Sequence, residues 1–436
     1  MQVLPHVRGA LASIPCPRAL ALSISIFAGA LALIVSERFD RTKIALVGAA
    51  LLLLSGTIDQ ELALEAIHFD TLGLLAGMMI IVRLTESTGL YTYIAIRAGQ
   101  LSRGRPFLLV VALAIPTAVL SAFLDNLTTI LLMVPITFLL ADAFDIDPIP
   151  LILIEVMACN IGGTATLIGD PPNIMIASAT GLSFMDFIVN VAPIAYLTTA
   201  VVVCLLYLFF RKKIRIAPEM RDKVMELDAG RSIEEPEELK RLAPVLALTI
   251  VAFFVHKPLG LEPATVALCG ATAMLALTRQ NLQSTLGGIE WPTLFFFIGL
   301  FVMVGALEHN GAIDELTQAI VSITDGQRTA ELLAIVWSAS IVGGIVDNIP
   351  LTATMIPVVE SIEGGSGDNA YWWALSLGAC FGGNLTIISA AANVAAAGMA
   401  SRAGHPIRFM QFLKVGVPVT IFSMVLVTGY LYLRYI

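Results

Sequence analysis

Long apolar runs separated by short polar stretches follow one another along the chain. Clear runs cover residues 20–36, 107–124, 188–210, 242–255 and 412–433. Runs of this length match the hydrocarbon core of a bilayer, which a helix of about 20 residues crosses. Apolar residues make up 57% and charged residues 13% of the 436 residues, and that charged share is about half of what a soluble domain carries. The pattern predicts an all-α integral membrane protein surrounded by the lipid bilayer.

Identical residues recur in the two halves of the chain, in the same order and at a nearly constant spacing. The spacing is 222 residues as far as Pro135 and 220 residues from Gly162 onwards. Frequent Gly and Leu do not explain a repeated Asp-Asn pair, so we infer an internal repeat and call residues at equivalent positions repeat mates. The residues of the first half with an identical mate include Gly48, Thr71, Leu72, Gly77, Glu86, Gly89, Asp125, Asn126, Pro135, Gly162, Gly163, Thr166 and Asn173.

The repeat divides the chain into a tail at 1–18, a first half at 19–210, a linker at 211–240 and a second half at 241–433. Each half is predicted to contain three spans, a re-entrant hairpin, a broken helix and a closing span. A hairpin enters and leaves on one side, so each half crosses the membrane an odd number of times, five, and the halves form inverted repeats. The predicted spans are 19–36, 43–57, 71–96 and 187–210, then 241–257, 263–278, 292–308 and 407–433; the hairpins are 107–143 and 331–361, and the broken helices are 149–180 and 371–400.

The placement of Lys and Arg predicts the orientation of the halves. With the linker in the cytoplasm, most of the 25 Lys and Arg residues fall on the cytoplasmic side, as the positive-inside rule requires. Both termini then lie outside a plasma membrane or bacterial inner membrane. The apolar run after Arg18 is similar to a signal peptide, but more spans follow it at once, so we interpret it as the first span.

Each predicted hairpin carries Asp-Asn in its middle, as Asp125-Asn126 in the first half and Asp347-Asn348 in the second. Asp and Asn cap helix N-termini, so each Asp could serve only as a cap. A carboxyl buried at membrane depth can also bind a proton or a sodium ion. Ion coupling and structural capping both stay open for the two aspartates.

Both broken helices combine polar side chains with residues that cannot continue a helix. The interrupted segment of the first runs from Asn160 to Asn173, and the helix should stop near Gly162 and restart after Pro171, because glycine and proline interrupt helices. The freed N–H and C=O groups are predicted to face a cavity and to coordinate a cation or a solute. The candidate substrate-binding residues of the tips and breaks are Asn126, Thr129, Asn160, Gly162, Gly163, Thr164, Thr166, Asn173, Asn348, Thr352, Gly382, Gly383, Asn384, Thr386, Ser389 and Asn393.

Asp170 distinguishes the first break from the second. Its repeat mate is Ala390, so the first half has one additional carboxylate near the predicted site. Asp170 is either a third proton-linked group or the N-cap of the segment that begins at Pro171. The residues alone do not separate these two roles.

The chain lacks the motifs of several other functions. HxxxH, HExxH, CxxC and GxxxxGK[ST] do not occur, so we predict no catalytic metal, no cofactor and no ATP site, and the linker has no nucleic-acid motif. Transport would then run on an ion gradient or on a separate ATPase. Glu86 and its mate Glu308 lie near span ends, where we favour a structural or interfacial role, and Arg83 is placed to pair with Glu86.

The run AspAsnLeuThrThr at 125–129 and the run AsnIleGlyGlyThrAlaThrLeuIleGlyAspProProAsn at 160–173 resemble the ion transporter superfamily. They look closest to the branch that holds the arsenite efflux pump ArsB, the NhaD sodium/proton antiporters and the P protein, and most like an ArsB-type pump. The resemblance covers residues 19–433. It implies inverted repeats sorted into a scaffold and a mobile transport unit, and export of arsenite or antimonite in exchange for protons. The resemblance also implies a soluble ArsA-type ATPase as a partner in some relatives, and it leaves the oligomeric state open.

The distribution of charged residues limits the solutes that the predicted site could bind. Arg and Lys are absent from 107–180 and 329–401, and a site for a di- or tricarboxylate should contain fixed cations. A neutral solute such as As(OH)₃, or a bare cation, fits better. We therefore predict arsenite/antimonite efflux by proton antiport, with protons cycling on Asp125, Asp347 and Asp170. The alternatives are a sodium/proton antiporter of the NhaD type and a sodium-coupled anion transporter.

Overall fold

A computed structural model gives the fold and describes residues 17–36, 38–216, 229–363 and 367–436. Most of the tail predicted at 1–18 and the middle of the linker predicted at 211–240 lie outside the described residues. Every regular element in the described part is helical, so the predicted all-α class is confirmed.

The first half contains the helices α1 (Pro17–Val35), α2 (Arg41–Leu54), α3 (Gln60–Glu65), α4 (Phe69–Glu86), α5 (Leu90–Leu101), α6 (Pro106–Ser121), α7 (Asn126–Phe144), α8 (Ile149–Gly163), α9 (Pro171–Thr180), α10 (Phe184–Asn190) and α11 (Ala192–Phe210). The second half contains α12 (Pro236–Val255), α13 (Pro263–Leu277), α14 (Leu282–Gly287), α15 (Trp291–His309), α16 (Ala312–Thr324), α17 (Arg328–Ile345), α18 (Asn348–Glu363), α19 (Ala370–Gly382), α20 (Ala391–Arg402) and α21 (Phe409–Tyr435), with short 3₁₀ turns at Ala229–Ser232 and Ile387–Ser389.

Local sequence explains where many of these helices begin. The side chains of Asp40 and Asp59 accept hydrogen bonds from backbone N–H groups in the first turns of α2 and α3, at 3.1 and 2.9 Å, as N-caps do. Proline occupies the first turn of α6, α8, α9 and α11 to α13, where the missing N–H removes no hydrogen bond.

Length and composition identify the helices that can cross a bilayer on their own. Among the described residues these are α1, α7, α11, α15, α17 and α21, and the pair α9 and α10 qualifies together although its axes are bent by 118°. The short helix α10 was not predicted. It begins with a capping box in which Ser183 and Asp186 satisfy each other's backbone N–H groups. Five crossings for each half are more than the number of helices that qualify by length. The number of crossings therefore stays a prediction.

The helix order and the packing repeat between the halves. Helices α2 to α9 have counterparts α13 to α20 at the spacing of the sequence repeat. α2 packs against α15 as α13 packs against α4, and α7 packs against α20 as α18 packs against α9. The contacts between the halves are therefore reciprocal. The inverted orientation in the membrane stays a prediction.

Two glycines permit the closest of these reciprocal contacts. A Cβ atom added at Gly77 of α4 would lie 2.8 Å from the carbonyl carbon of Ala267, and one at Gly299 of α15 would lie 2.6 Å from that of Ala45. Gly299 is the repeat mate of Gly77, and Ala267 is the repeat mate of Ala45. Only glycine lets the backbones approach this closely, which gives a physical reason for Gly in both halves.

The predicted single span over 71–96 is wrong, because it consists of two helices. α4 ends at Glu86 and α5 begins at Leu90, and Gly89 between them has φ 77°, a left-handed conformation that ends a helix. Its mate Gly311 has φ 82° and separates α15 from α16 in the same way. The predicted ion pair at the end of α4 is confirmed, with Arg83 Nη1 at 2.9 Å from Glu86 Oε2.

Candidate functional site

The first tip, between α6 and α7, is arranged as a helix cap. Asp125 Oδ1 accepts the backbone N–H of Thr128 at 2.8 Å, and the Thr128 hydroxyl donates to Oδ2 at 2.5 Å. Asp125 is half-buried. Both of its oxygens thus have a local donor, and the predicted capping role is confirmed. Its role in ion coupling stays a prediction.

The second tip, between α17 and α18, has a different arrangement. Asp347 is buried, and its Oδ1 accepts the backbone N–H of Ile349 at 2.9 Å. Its Oδ2 lies 3.6 Å from Nη1 of Arg41, at the start of α2, and the Arg41 guanidinium also lies 5.2 Å from the ring centre of Phe296. The repeat mate of Arg41 is Pro263, so the position equivalent to Arg41 supplies no cation to the first tip.

Arg41 corrects an expectation drawn from the sequence. Arg and Lys are absent from the hairpins and breaks themselves, but the fold brings a guanidinium from the scaffold helix α2 to the second tip. Glu290, the residue before α15, is likewise within electrostatic range of Asp125 and Arg41. Nothing in the local sequence of either residue pointed to the site, because their approach depends on packing between the halves.

The first break uses its own side chains to satisfy its backbone. α8 ends at Gly163 and α9 begins at Pro171, close to the predicted positions. The Asn173 side-chain amide donates from Nδ2 to the carbonyl oxygens of Thr164 and Thr166, at 2.9 and 2.8 Å. The Thr166 hydroxyl donates to the carbonyl of Ala122, the residue that follows α6 in the first hairpin.

The second break repeats this arrangement. The Asn393 amide donates to the carbonyl oxygens of Gly383 and Thr386, at 2.7 and 2.8 Å. The Thr386 hydroxyl donates to the carbonyl of Gly344, the mate of Ala122, at 2.8 Å. Ser389 also donates to the carbonyl of Gly383 at 2.7 Å. These carbonyl oxygens thus already accept hydrogen bonds from asparagine and serine side chains, and their coordination of a solute stays a prediction.

The two breaks are also hydrogen-bonded to each other. Asn160 Nδ2 lies 2.9 Å from both Asn384 Oδ1 and Asn393 Oδ1. In the other direction, the thiol of Cys380, the mate of Asn160, lies 3.6 Å from Asn173 Oδ1. The predicted binding residues of the breaks thus form one buried network that joins the halves. Within the described ranges, Asn160 Oδ1 has no hydrogen-bond partner.

Asp170 lies where the two tips meet this network. It is 2% exposed, and its Oδ1 lies 3.5 Å from Nδ2 of Asn348 at the second tip. The side chains of Asn126, from the first tip, and Cys380 are within hydrogen-bonding reach of the same carboxyl. Oδ2 has no partner in the part of the chain that the structure describes. Asp170 makes no side-chain cap at α9, which disfavours the capping interpretation.

The remaining predicted site residues divide into packing and polar positions. A Cβ atom at Gly162 would lie 2.5 Å from Cα of Ala118, and one at Gly382 would lie 2.6 Å from the carbonyl oxygen of Ser340. These two glycines therefore hold the broken helices against the hairpins. Gly163 likewise leaves room for the Asn126 side chain, which an added Cβ atom would meet. Two other predicted positions are buried hydroxyls: Thr352 donates to the carbonyl of Asn348 at 2.7 Å, and Thr129 Oγ1 has no partner among the described residues.

A cavity of about 440 Å³ opens beside the second tip. Arg41 and Asp347 are its charged lining residues, and apolar residues such as Leu127, Ile388 and Val394 line the rest. Asp170 is not part of the lining. In this conformation the second tip faces the cavity, whereas Asp170 is closed off behind the tips.

Paired broken helices, paired hairpin tips and a buried carboxylate between them are the architecture of a secondary transporter. The family model described as a citrate transporter, CitMHS, matches residues 31–378, and the chain belongs to that family. It is a multi-pass membrane transporter.

Named relatives agree with this class. The chain is 40% identical over 422 residues to an uncharacterized transporter of Mycobacterium tuberculosis, covering 95% of this chain and 98% of that protein. It is 32% identical over 488 residues to the human P protein, covering 92% of this chain and 58% of that protein. The predicted link to the P protein is thus confirmed, whereas the link to ArsB-type pumps is not tested.

A solved structure supports the fold. The YdaH transporter of Alcanivorax borkumensis, whose structure was described as having an unusual topology, matches 96% of this chain and 98% of that chain with a TM-score of 0.60. The sequence identity is 14%, so this likeness concerns the fold alone.

Proposed function

We propose that the chain exports arsenite and antimonite in exchange for protons, by alternating access across a plasma membrane or bacterial inner membrane, with its linker in the cytoplasm. The observation that carries this proposal is the environment of Asp170. Its carboxyl is buried, is faced by amide side chains of both tips, and has one oxygen without a partner in the described part of the chain. Such a group is suited to bind and release a proton beside a hydroxyl-rich solute.

The solute would bind at the tips. Amide groups both donate and accept hydrogen bonds, so Asn126 and Asn348 can pair with the hydroxyls of As(OH)₃ from two sides. Protonation of Asp170 after the solute has left makes the empty site neutral, and a neutral carboxyl is less costly to bury than a charged one during the return crossing. The hairpins, breaks and closing spans would move against the scaffold formed by the other helices.

Local charge supports a neutral solute over a polyanion. Asp125, Asp170, Asp347 and Glu290 all lie near the tips, and Arg41 is the cation that pairs with this group. A di- or tricarboxylate would meet repulsion from these carboxylates. A neutral polyol meets none.

A second candidate, sodium-coupled transport of an organic or inorganic anion, is favoured by one observation. Arg41 lines the cavity at the second tip and its ion pair with Asp347 is long, at 3.6 Å, so the guanidinium could accept an anionic group in place of Asp347. The description of the family as citrate transporters supports the same candidate.

Everted membrane vesicles energised to an acidic interior separate these functions. Accumulation of arsenite that a protonophore abolishes, without a response to sodium, is the expected result. ATP-dependent uptake that survives the protonophore would point to an ArsA-type ATPase partner. Sodium-dependent collapse of the pH gradient without arsenite uptake would establish sodium/proton antiport, and sodium-driven citrate uptake would establish the second candidate; either result would overturn the proposal.

A further inference from the structure

Glu155 is a second buried carboxyl of the first half, outside the site described above. It lies in the middle of α8 and is 0% exposed. Its repeat mate is Leu375, which is equally buried. The second half therefore fills this position with an apolar side chain, and packing alone does not require a carboxyl there.

Two threonine hydroxyls face the Glu155 carboxyl from the first hairpin. The Thr137 hydroxyl of α7 donates to Oε2 at 2.6 Å. The Thr117 hydroxyl of α6 faces the same carboxyl, but its hydrogen is donated to the carbonyl of Leu113 at 2.7 Å. Thr117 therefore presents only an acceptor oxygen to Glu155. Glu155 Oε1 has no partner among the described residues.

Within the part of the chain that the structure describes, no cation pairs with Glu155. Helices α6, α11 and α19, which pack against α8, contain no Lys, Arg, Asp or Glu. None of the ion pairs found in the described residues includes Glu155. The charged residues on the other helices that pack against α8 are Asp142 on α7, Arg402 on α20, and Lys414 and Arg434 on α21.

This environment matches a carboxylic acid better than a carboxylate. An ionised carboxylate without a cation in a dry interior is costly, and here it would also face the acceptor oxygen of Thr117. A protonated carboxyl removes this cost, because its carbonyl oxygen can accept from Thr137 and its O–H has the Thr117 oxygen as a nearby acceptor.

A chain of polar side chains that leads to the site between the tips begins one helical turn from Glu155. Cys159 lies one turn further along α8, and its Sγ is 3.3 Å from the Ser121 hydroxyl. Ser121 donates to Asn126 Oδ1, and Asn126 reaches Asp170. Glu155 is thus one helical turn away from the network that contains Asp170.

We propose that Glu155 is a second proton-binding site of the transport unit, present in the first half only and occupied in this conformation. When transport brings water to the first hairpin, the carboxyl releases its proton to that water and no other bond changes. Each cycle then carries one proton more than Asp170 alone would carry. This consequence rests on the proposed proton-coupled transport, whereas the protonation of Glu155 does not.

Infrared spectroscopy of the purified protein in lipid tests the protonation directly. The wild type is expected to show, at neutral pH, a protonated-carboxyl C=O band that Glu155→Gln lacks. Glutamine has the size of the neutral acid and can donate to Thr117 and accept from Thr137, so the variant should fold. The control Glu308→Gln changes an exposed carboxyl at the end of α15 and should leave the band unchanged. A band of equal intensity in wild type and Glu155→Gln would overturn the proposal.

The final accumulation ratio tests the transport consequence. Each coupled proton multiplies the limiting solute ratio by about tenfold for every pH unit of gradient. In everted vesicles with a gradient of one unit, Glu155→Gln should therefore accumulate about tenfold less arsenite at steady state than the wild type. A purely structural role would slow uptake and leave this ratio unchanged, and that result would contradict the second proton. If the wild type accumulates no arsenite, the proposed function fails and the infrared result alone decides the protonation of Glu155.

Discussion

The two breaks share a backbone plan and differ in side-chain chemistry. In each, an asparagine amide holds two carbonyl oxygens of the broken helix, Asn173 in the first and Asn393 in the second. In each, a threonine hydroxyl ties the break to its own hairpin. Only the first break carries a carboxyl, because Asp170 is replaced by Ala390 in the second.

This difference separates the residues that stabilise the fold from the residues that are suited to ion coupling. The features that both halves share are those that satisfy backbone groups and close helix contacts. The buried carboxyls Asp170 and Glu155 are confined to the first half, where their mates are Ala390 and Leu375. The second half contributes the Asn348 amide and the Asp347–Arg41 pair. Duplicated architecture thus supports a site whose chemistry is not duplicated.

Removal of the Asp170 carboxyl should have the largest effect on transport. Asp170→Ala gives the first break the residue of the second, and loss of a buried charged hydrogen-bonding group should reduce gradient-driven arsenite accumulation roughly 10- to 100-fold. Uptake by everted vesicles measures this, with Glu308→Gln as the control. Accumulation at the wild-type level would show that the asymmetry of the breaks has no role in coupling.

Removal of the asparagine amides should affect the stability of the two breaks unequally. Asn173→Ala leaves two buried carbonyl oxygens of the first break without their side-chain donor, which should cost about 1–3 kcal/mol. Asn393→Ala should cost less, because the Ser389 hydroxyl still reaches both carbonyl oxygens that Asn393 holds. Thermal unfolding of the detergent-purified variants measures the two losses. An equal loss in both variants would contradict a supporting role for Ser389.

The close contacts of the broken helices with the hairpins should respond in parallel. Gly162→Ala and Gly382→Ala insert a methyl group against Ala118 and Ser340, and overpacking of this kind costs about 1–3 kcal/mol. Both variants should unfold at lower temperature than the wild type. Unchanged unfolding temperatures would contradict the packing role of these glycines.

Substitution of the two tip aspartates should have smaller effects than the substitutions above, and the two effects should differ. Asp347→Asn removes the partner of Arg41, and we expect transport to fall roughly fivefold, since partly exposed ion pairs contribute little. Asp125→Asn keeps a good N-cap residue and should change the free energy of unfolding by less than about 0.5 kcal/mol. Vesicle uptake and thermal unfolding of both variants measure the difference. If proton-coupled transport stays intact in both, neither tip carboxylate couples protons.

The sequence predicts the parts of the fold that depend on local residue chemistry. Repeated identities indicated the order of elements in each half, and Gly162 and Pro171 marked where the first helix breaks. Capping by Asp125 was one of the two roles left open for it, and it could be predicted because a cap needs only neighbouring residues. The break at Gly89 was missed because apolar residues continue on both sides of it and a single glycine does not always end a helix.

The parts of the site that depend on tertiary packing were not predictable. Arg41 is separated from Asp347 by most of the chain, and the start of α2 offers no sign of that contact. The break carbonyls were expected to be free, but Asn173 and Asn393 fold back onto them, which depends on side-chain geometry. The contact between Glu155 and Thr137 likewise joins two helices and became visible only in the fold.

A comparison of net accumulation with solute exchange in Asp170→Asn tests the central claim most directly. In everted vesicles, the variant is expected to exchange labelled for unlabelled arsenite across the membrane without a gradient, because binding at the tips is retained. It is expected to lose accumulation driven by the pH gradient, because the proton-binding group is gone. Gradient-driven accumulation by Asp170→Asn equal to that of the wild type would contradict the assignment of Asp170 as the coupling carboxyl.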